Sequence, residues 1–195
     1  MFLRFNVFSV VGFGKMNEIR VRLAKDDADV SAARQLCQEW FDWHWENYPD
    51  DWPTESDPEW PTDIEHPMGP KIFQTILKEL PERHKRPVGG ILIADLNGVP
   101  AGCVMYSKAG PGVAEFHRMF VSAGARGNSL GQKLLEGMFE QMVADGYSRV
   151  FCSSAAFLTH ARAMYRKAGF VDMAHPHGFP EVWRDKVYFM ERSLD

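Results

Sequence analysis

Cysteine is scarce in this chain. Its 195 residues hold three, Cys37, Cys103 and Cys152, and no two stand in CxxC spacing. An odd number so far apart excludes a disulfide framework and a cysteine-rich zinc cluster, so no metal is expected; reduced, buried thiols and a cytoplasmic protein are. A basic excess is lacking too. The net charge of -4 leaves no positive field over the chain, which argues against a nucleic-acid partner. No apolar run is long enough to span a bilayer. The opening "MFLRFNVFSVVGFGK" is too short and lacks a small-residue cleavage pattern, so neither a secretory signal nor a membrane partner is expected. No internal repeat is visible, which removes solenoids and propellers.

The rest of the composition is that of a soluble globular chain, 45% hydrophobic and 25% charged. Its length fits one domain. Residues 1–15 read as an N-terminal extension, disordered or part of a misassigned start, with Met16 opening a single domain that runs to residue 195. "EIRVRLA" alternates as a strand. Asp26 or Asp27 can cap the helix that follows, which carries Val30, Ala33, Leu36, Cys37, Trp40 and Phe41 at helical spacing. From residue 42 to 70 the composition shifts to Trp, Pro and acid with neither Lys nor Arg, and prolines at that density forbid a long helix or central strand. "PKIFQTILKEL" reads as a helix with Pro70 in its first turn. "GGILIADLNGVPAGCVMYSKA" is a hairpin around Asn-Gly, and "GVAEFHRMFVSA" a further strand. A helix through Ala144, the strand "SRVFCSS", the helix "LTHARAMYRKAGF" and the strand "KVYFMERSL" complete the order. Hairpin and crossover connections together predict an α/β (mixed α+β) fold.

One stretch raises a specific chemistry. "ARGNSLGQKLLEGMFE" puts glycines and small polar residues directly before a helix, where free backbone N–H groups and the helix dipole suit an anion such as phosphate. It is not a dinucleotide-binding loop: "RGNSLG" lacks the GxGxxG spacing, and the strands before it pair as hairpins.

The segment "EFHRMFVSAGARGNSLGQKLLE", with "ARAMYRKAGF" and "GVPAGCVMYS", resembles the GNAT N-acetyltransferases over roughly Ile19–Leu194. The resemblance implies a central mixed, mostly antiparallel sheet flanked by helices, with acetyl-CoA as co-substrate. In the family's Q/R-x-x-G-x-G/A pyrophosphate loop, Arg126 takes the first place and Gly131 the last, while Ser129 replaces the usual middle glycine. Gly127 and Asn128 are expected to supply the backbone freedom that Ser129 lacks. The resemblance thus assigns Arg126, Gly127, Asn128, Ser129, Leu130 and Gly131 to the pyrophosphate, and Met119, Phe120 and Val121 to the pantetheine arm. Leu158 stands where many members place a cofactor-touching Asn.

Acyl transfer to an amine needs a group to take the amine proton, polarisation of the carbonyl and a proton for the leaving sulfur. By family position Tyr165 is the acid and Glu115 the candidate base, with a backbone N–H such as that of Phe120 on the carbonyl. His117 shares the strand parity of Glu115 and joins it as a second candidate base or a substrate contact. The acids from Asp42 to Glu65, interleaved with Trp43, Trp45, Tyr48, Trp52 and Trp60, border the acceptor region in the family. They suit a cationic small-molecule or peptide amine, with Trp43 and Trp45 as substrate contacts; a solvated loop whose tryptophans cover the sheet is the alternative. Two other readings stay open: a silent acyl-CoA-binding sensor, and an interaction module built on the Trp/Pro stretch. His175 and His177 read as loop residues rather than metal ligands. Monomer and homodimer are equally compatible with the sequence.

Overall fold

Residues 17–54 and 69–194 are described by the computed structural model. The extension over 1–15 and the later part of the acidic stretch, Trp60 included, lie outside the described residues. The chain folds as β1 (Ile19–Leu23), α1 (Asp27–Glu46), α2 (Pro70–Arg83), β2 (Gly89–Leu96), β3 (Val99–Gly110), β4 (Val113–Val121), α3 (Leu130–Ala144), β5 (Arg149–Ala155), α4 (Thr159–Lys167), β6 (Val171–Met173) and β7 (Val187–Ser193). The strands form one sheet in the order β1-β2-β3-β4-β5-β7-β6. Only the β4–β5 pairing is parallel; the other neighbours run antiparallel.

Local chemistry accounts for the elements. The Asp26 carboxylate accepts from the Asp29 N–H at 2.9 Å and starts α1. Asn97 (φ 53°) and Gly98 (φ 82°) both take the left-handed backbone that a tight two-residue hairpin needs between β2 and β3. Alternating side chains then feed two cores. Val104 and Tyr106 of β3 join Leu134 and Met138 of α3, and Tyr165 and Phe170 at the α4 end, on one face. Cys103 and Met105 join Ala33, Leu36 and Cys37 of α1, and Phe73 and Leu80 of α2, on the other. All three cysteines are buried, free thiols.

Two boundaries differ from the expectation. Helix α1 continues through the Trp-rich start of the acidic stretch to Glu46, because the first proline is Pro49; Asn47 closes the helix, its side-chain amide donating to the Trp43 carbonyl at 2.8 Å. Trp43 and Trp45 are therefore helical residues, not loop residues. Helix α2 runs past Pro81 to Arg83.

Two histidines are buried with the α1/α2 core. His44 donates from Nδ1 to the Trp40 carbonyl at 2.8 Å, and His84 to the Tyr106 carbonyl at 2.9 Å. Burial holds both rings down to about 4, against an ordinary 6.5. The folded state thus resists protons that the unfolded chain accepts. Stability is expected to fall as pH drops from about 6.5 toward 4, by about 1.4 kcal/mol per pH unit for each proton taken up. Urea midpoints measured across that range check it, and His44→Phe should flatten the slope.

Candidate functional site

The site begins where two strands part. Strands β4 and β5 pair only from Val113–Glu115 to Arg149–Phe151. Beyond that point β5 continues with β7 as far as Ala155, and β4 continues with β3. Among the described residues the β5-facing edge of β4 from Phe116 onward thus has no strand partner, which leaves backbone donors and acceptors facing an opening. The divergence coincides with a bulge. Met105 is opposite His117 but Cys103 is opposite Phe120, and Arg118, at the extra position, has φ 49°. The bulge also resets the parity: Glu115 and His117 share the α1/α2 face, while Met119 and Val121 pack toward α3 and Phe120 toward α1. Met119, Phe120 and Val121, expected on the pantetheine arm, lie on this free edge.

On the α3/α4 face the opening is floored by Tyr165. Its ring is 5% exposed and meets Phe116 edge-on, with 5.2 Å between centroids. Burial pushes its phenol well above the usual range, with Cys152 and Tyr188 adding to the shift. The hydroxyl therefore keeps its proton and stays a hydrogen-bond donor.

The Gly-rich loop lies at the far end of the same edge. Gly127 has φ 83° and open space around its α-carbon. The second left-handed residue is Ser129 itself, at φ 61°, and not Asn128 as expected. Asn128 instead ties the loop down: its amide donates to the Ala125 carbonyl at 3.1 Å, and its carbonyl accepts from Asn17 at 2.8 Å. A left-handed non-glycine is strained by roughly 1–2 kcal/mol, so Ser129 holds its conformation under tension. Gly131 serves a different end. A β-carbon there would stand 3.0 Å from the Met164 sulfur, so glycine lets α3 and α4 close up. Leu130 is buried beneath the first turn. A cleft of about 410 Å³ opens over these residues and is also lined by His160 and Lys167 of α4. Arg126 donates to the Val121 carbonyl at 3.2 Å and lays its guanidinium 5.6 Å from the Trp43 ring centre. Leu158 is the N-cap residue of α4 and makes no side-chain cap bond.

The α1/α2 face of the opening carries the titratable groups. Glu115 Oε1 lies 3.9 Å from His117 Nδ1, and His117 Nε2 lies 3.1 Å from Ser107 Oγ. Burial raises the Glu115 carboxyl above its ordinary 4.5, with Arg118 pulling back. Burial first, then electrostatic interaction with His84, Arg118 and Arg83, holds His117 down to about 3. Glu115 is thus the stronger base of the pair.

The aromatic residues divide. Trp43 stacks near Phe157 at 6.4 Å, and Trp52 joins Phe157 at 5.4 Å and Trp183 at 6.3 Å, forming a wall from the end of α1 to the segments after β5 and before β7. Trp45 packs instead on Phe41 and Tyr48. His175 hydrogen-bonds the Val187 carbonyl at 2.8 Å. Among the described residues no cluster of three or more His, Cys, Asp or Glu could hold a metal, and no helix is long and apolar enough to cross a membrane. Sequence reasoning did not find Phe157, Trp183, Ser107, His160, Lys167 or Arg118. Lys167, next to "AGF", carried the one available signal, a cation in the last turn of the motif helix.

Comparison with known proteins agrees with this architecture. The family model for the acetyltransferase (GNAT) family matches residues 37–170. An IAA acetyltransferase from Azospirillum brasilense is 35% identical over 105 residues, 53% of this chain and 67% of that protein. Among solved structures, a GNAT-family acetyltransferase from Staphylococcus aureus superposes with a TM-score of 0.65 at 15% identity, covering 91% of this chain and all of that one. A putative acetyltransferase from Salmonella typhimurium, solved with its cofactor acetyl-CoA, gives 0.58 at 16% identity, covering 91% of this chain and 94% of that one. The Escherichia coli ribosomal-protein-S18-alanine N-acetyltransferase gives 0.57 at 16% identity, covering 92% and 94%. With the parted strands and the pyrophosphate-type loop in place, the chain belongs to the GNAT acetyltransferase family and is an acyltransferase that uses acetyl-CoA.

Proposed function

We propose that the protein transfers the acetyl group of acetyl-CoA to a primary amine by direct attack within a ternary complex. One observation carries this reading: Tyr165 packs on Phe116 in the α3/α4 core, and Glu115, the neighbour of Phe116 on β4 and so on the other face of the sheet, is the last β4 residue paired with β5 before the strands part. Bound acetyl-CoA supplies a thioester carbon for the amine and a thiol that leaves. The residues present fit it. The Gly127–Gly131 backbone, the α3 N-terminus and the cations Arg126 and Lys167 suit a pyrophosphate. The free edge of β4 suits the amides of the pantetheine arm.

Glu115 takes the proton that the acceptor nitrogen must lose, directly or through a water. Its raised affinity for protons makes it a better base than an exposed carboxylate, and His117 and Ser107 hold its surroundings. Tyr165 donates to the leaving sulfur. An unperturbed thiol has a pKa of about 8.5 and a phenol about 10. A phenol raised further by burial is the weaker acid, so Tyr165 stabilises the thiolate by a hydrogen bond more than by complete transfer. Nothing in this geometry calls for a metal. The cationic acceptor fares less well: Trp43 already has Arg126 over its ring, Trp45 is turned into packing, and the acids Asp42, Glu46, Asp50 and Asp51 are exposed. A silent acyl-CoA-binding module would keep the loop and gain nothing from the acid and base.

Two variants test the reading. Tyr165→Phe should lower kcat about 10–100-fold and leave stabilisation by acetyl-CoA at wild-type size, roughly 2.7 kcal/mol at a hundred times Kd. Equal kcat in wild type and variant would remove Tyr165 as the acid. Glu115→Gln should lower kcat by about 10²–10⁴-fold. The same change should raise stability at pH 8. A carboxylate whose folded pKa is raised destabilises the fold as pH climbs above its ordinary 4.5, so the gap to wild type should close near pH 4.

The loop gives a separate outcome, read as acetyl-CoA affinity by calorimetry. Gly127→Ala, at φ 83°, should weaken binding about tenfold or more. Ser129→Gly should bind at least as tightly as wild type and gain roughly 0.5–1 kcal/mol of stability, since it removes left-handed strain against the extra entropy of glycine.

A further inference from the structure

Arg118 stands out on the acceptor side of the opening. It occupies the bulge of β4 with a left-handed backbone at φ 49°, a conformation that few non-glycine residues adopt. Its side chain is largely buried, and its Nε is fully buried with no acceptor. Among the described residues it joins no ion pair and donates no hydrogen bond, although a guanidinium carries five donors. The groups whose charges it feels or affects are Cys37, Cys103, Arg83, His84, His117 and Glu115, all on or beside the α1/α2 face. Of these Glu115 is the one carboxylate, and it lies beyond ion-pair distance. The histidines are neutral, and Arg83 adds positive charge even though Glu79 holds it at 2.7 Å. The α1/α2 side of the opening therefore keeps a largely buried cation that no described residue pairs with.

Such a group is costly to bury alone. A bidentate carboxylate is the partner that best matches its planar fork. We propose that Arg118 binds the carboxylate of the acceptor, and that the acceptor is a free amino acid whose amine is presented to Glu115. This rests on the acetyl-transfer reading above and narrows it. A peptide N-terminus has an amide where the amino acid has its carboxylate, and a diamine or polyamine has nothing there to meet Arg118. The pairing of charges is complete only with the amino acid: carboxylate on Arg118, and ammonium, before it loses its proton, beside Glu115. The aromatic wall of Trp43, Trp52, Phe157 and Trp183 sets the side-chain preference toward apolar and aromatic amino acids.

The test compares matched acceptors with acetyl-CoA, read as release of the free thiol. Phenylalanine, phenylalaninamide and phenethylamine form one series; leucine, leucinamide and isopentylamine form another. Each amino acid should exceed its amide and its decarboxylated amine in kcat/KM by about a hundredfold, the size expected for a charged hydrogen-bonded pair. Arg118→Gln should bring that ratio to within a few-fold, mainly through KM, and Arg118→Lys should keep part of it. The thermal shift with acetyl-CoA should be unchanged in both variants, which checks fold and cofactor site together. Amides or amines used as well as the acids, or a ratio that survives Arg118→Gln, would overturn the proposal and leave the acetyltransferase reading standing. If the variants do not fold, the wild-type ratios decide alone. If no acceptor turns over, calorimetric titration of phenylalanine and leucine into the protein with coenzyme A present decides: absence of binding overturns it. Loss of the acetyl-CoA shift in wild type would instead remove the reading beneath it.

Discussion

The parting of β4 from β5 is the constraint on which the rest of the structure depends. Had the two strands stayed paired past Glu115, the sheet would be continuous and the cofactor would have no edge to pair with. The bulge at Arg118 accompanies the separation and gives it a second use. By inserting one residue it places Glu115 and His117 on the α1/α2 face and turns Met119 and Val121 to the other. A single irregularity thus puts the titratable residues Glu115 and His117 of β4 on one side and its Met119 and Val121 on the other. The crossover helix α3 starts from the loop that ends this edge, so strand, loop and helix dipole are aligned by chain connectivity alone.

The two faces have opposite electrical characters. On the α3/α4 side Tyr165 and Cys152 are buried among apolar groups such as Phe116, and burial favours their neutral forms. A neutral donor is what a departing sulfur needs. On the α1/α2 side Glu115, Arg118, His84 and His117 share a confined space where each charge weighs on the others. The positive side chains there suppress protonation of His117, which leaves the carboxylate as the group with proton affinity to spare. The proposed division of labour between acid and base rests on environment, since neither residue type dictates it.

Much of this was legible in the sequence. The Asn-Gly turn, the glycines closing α3 and α4, and the alternation of β2 to β4 have local causes, so reading locally found them. The Gly-rich loop before α3 was legible in outline, although Ser129, and not Asn128, carries the left-handed backbone. The end of α1 was misplaced because composition was weighed over residues 42 to 70 as a block, whereas a helix responds to its own next few residues; no proline intervenes before Pro49. The aromatic wall was illegible for a different reason. Trp43, Phe157 and Trp183 lie far apart in the chain, and no periodicity links residues that meet only through tertiary packing.

Arg118 belongs to neither category. In the sequence it is one letter between His117 and Met119, and alternation would have turned it to the face opposite His117. The bulge cancels that inference, because an extra residue reverses the parity that follows it. A strained backbone and a guanidinium with no partner among the described residues are two penalties at one position that folding does not require, since a glycine there would relieve both. Their persistence points away from the fold and toward something that arrives in the opening. The same reasoning applies to Ser129 at the other end of the edge. The irregular residues of β4 and its loop mark two points along one edge, Ser129 in a loop suited to phosphate and Arg118 on a strand position suited to carboxylate.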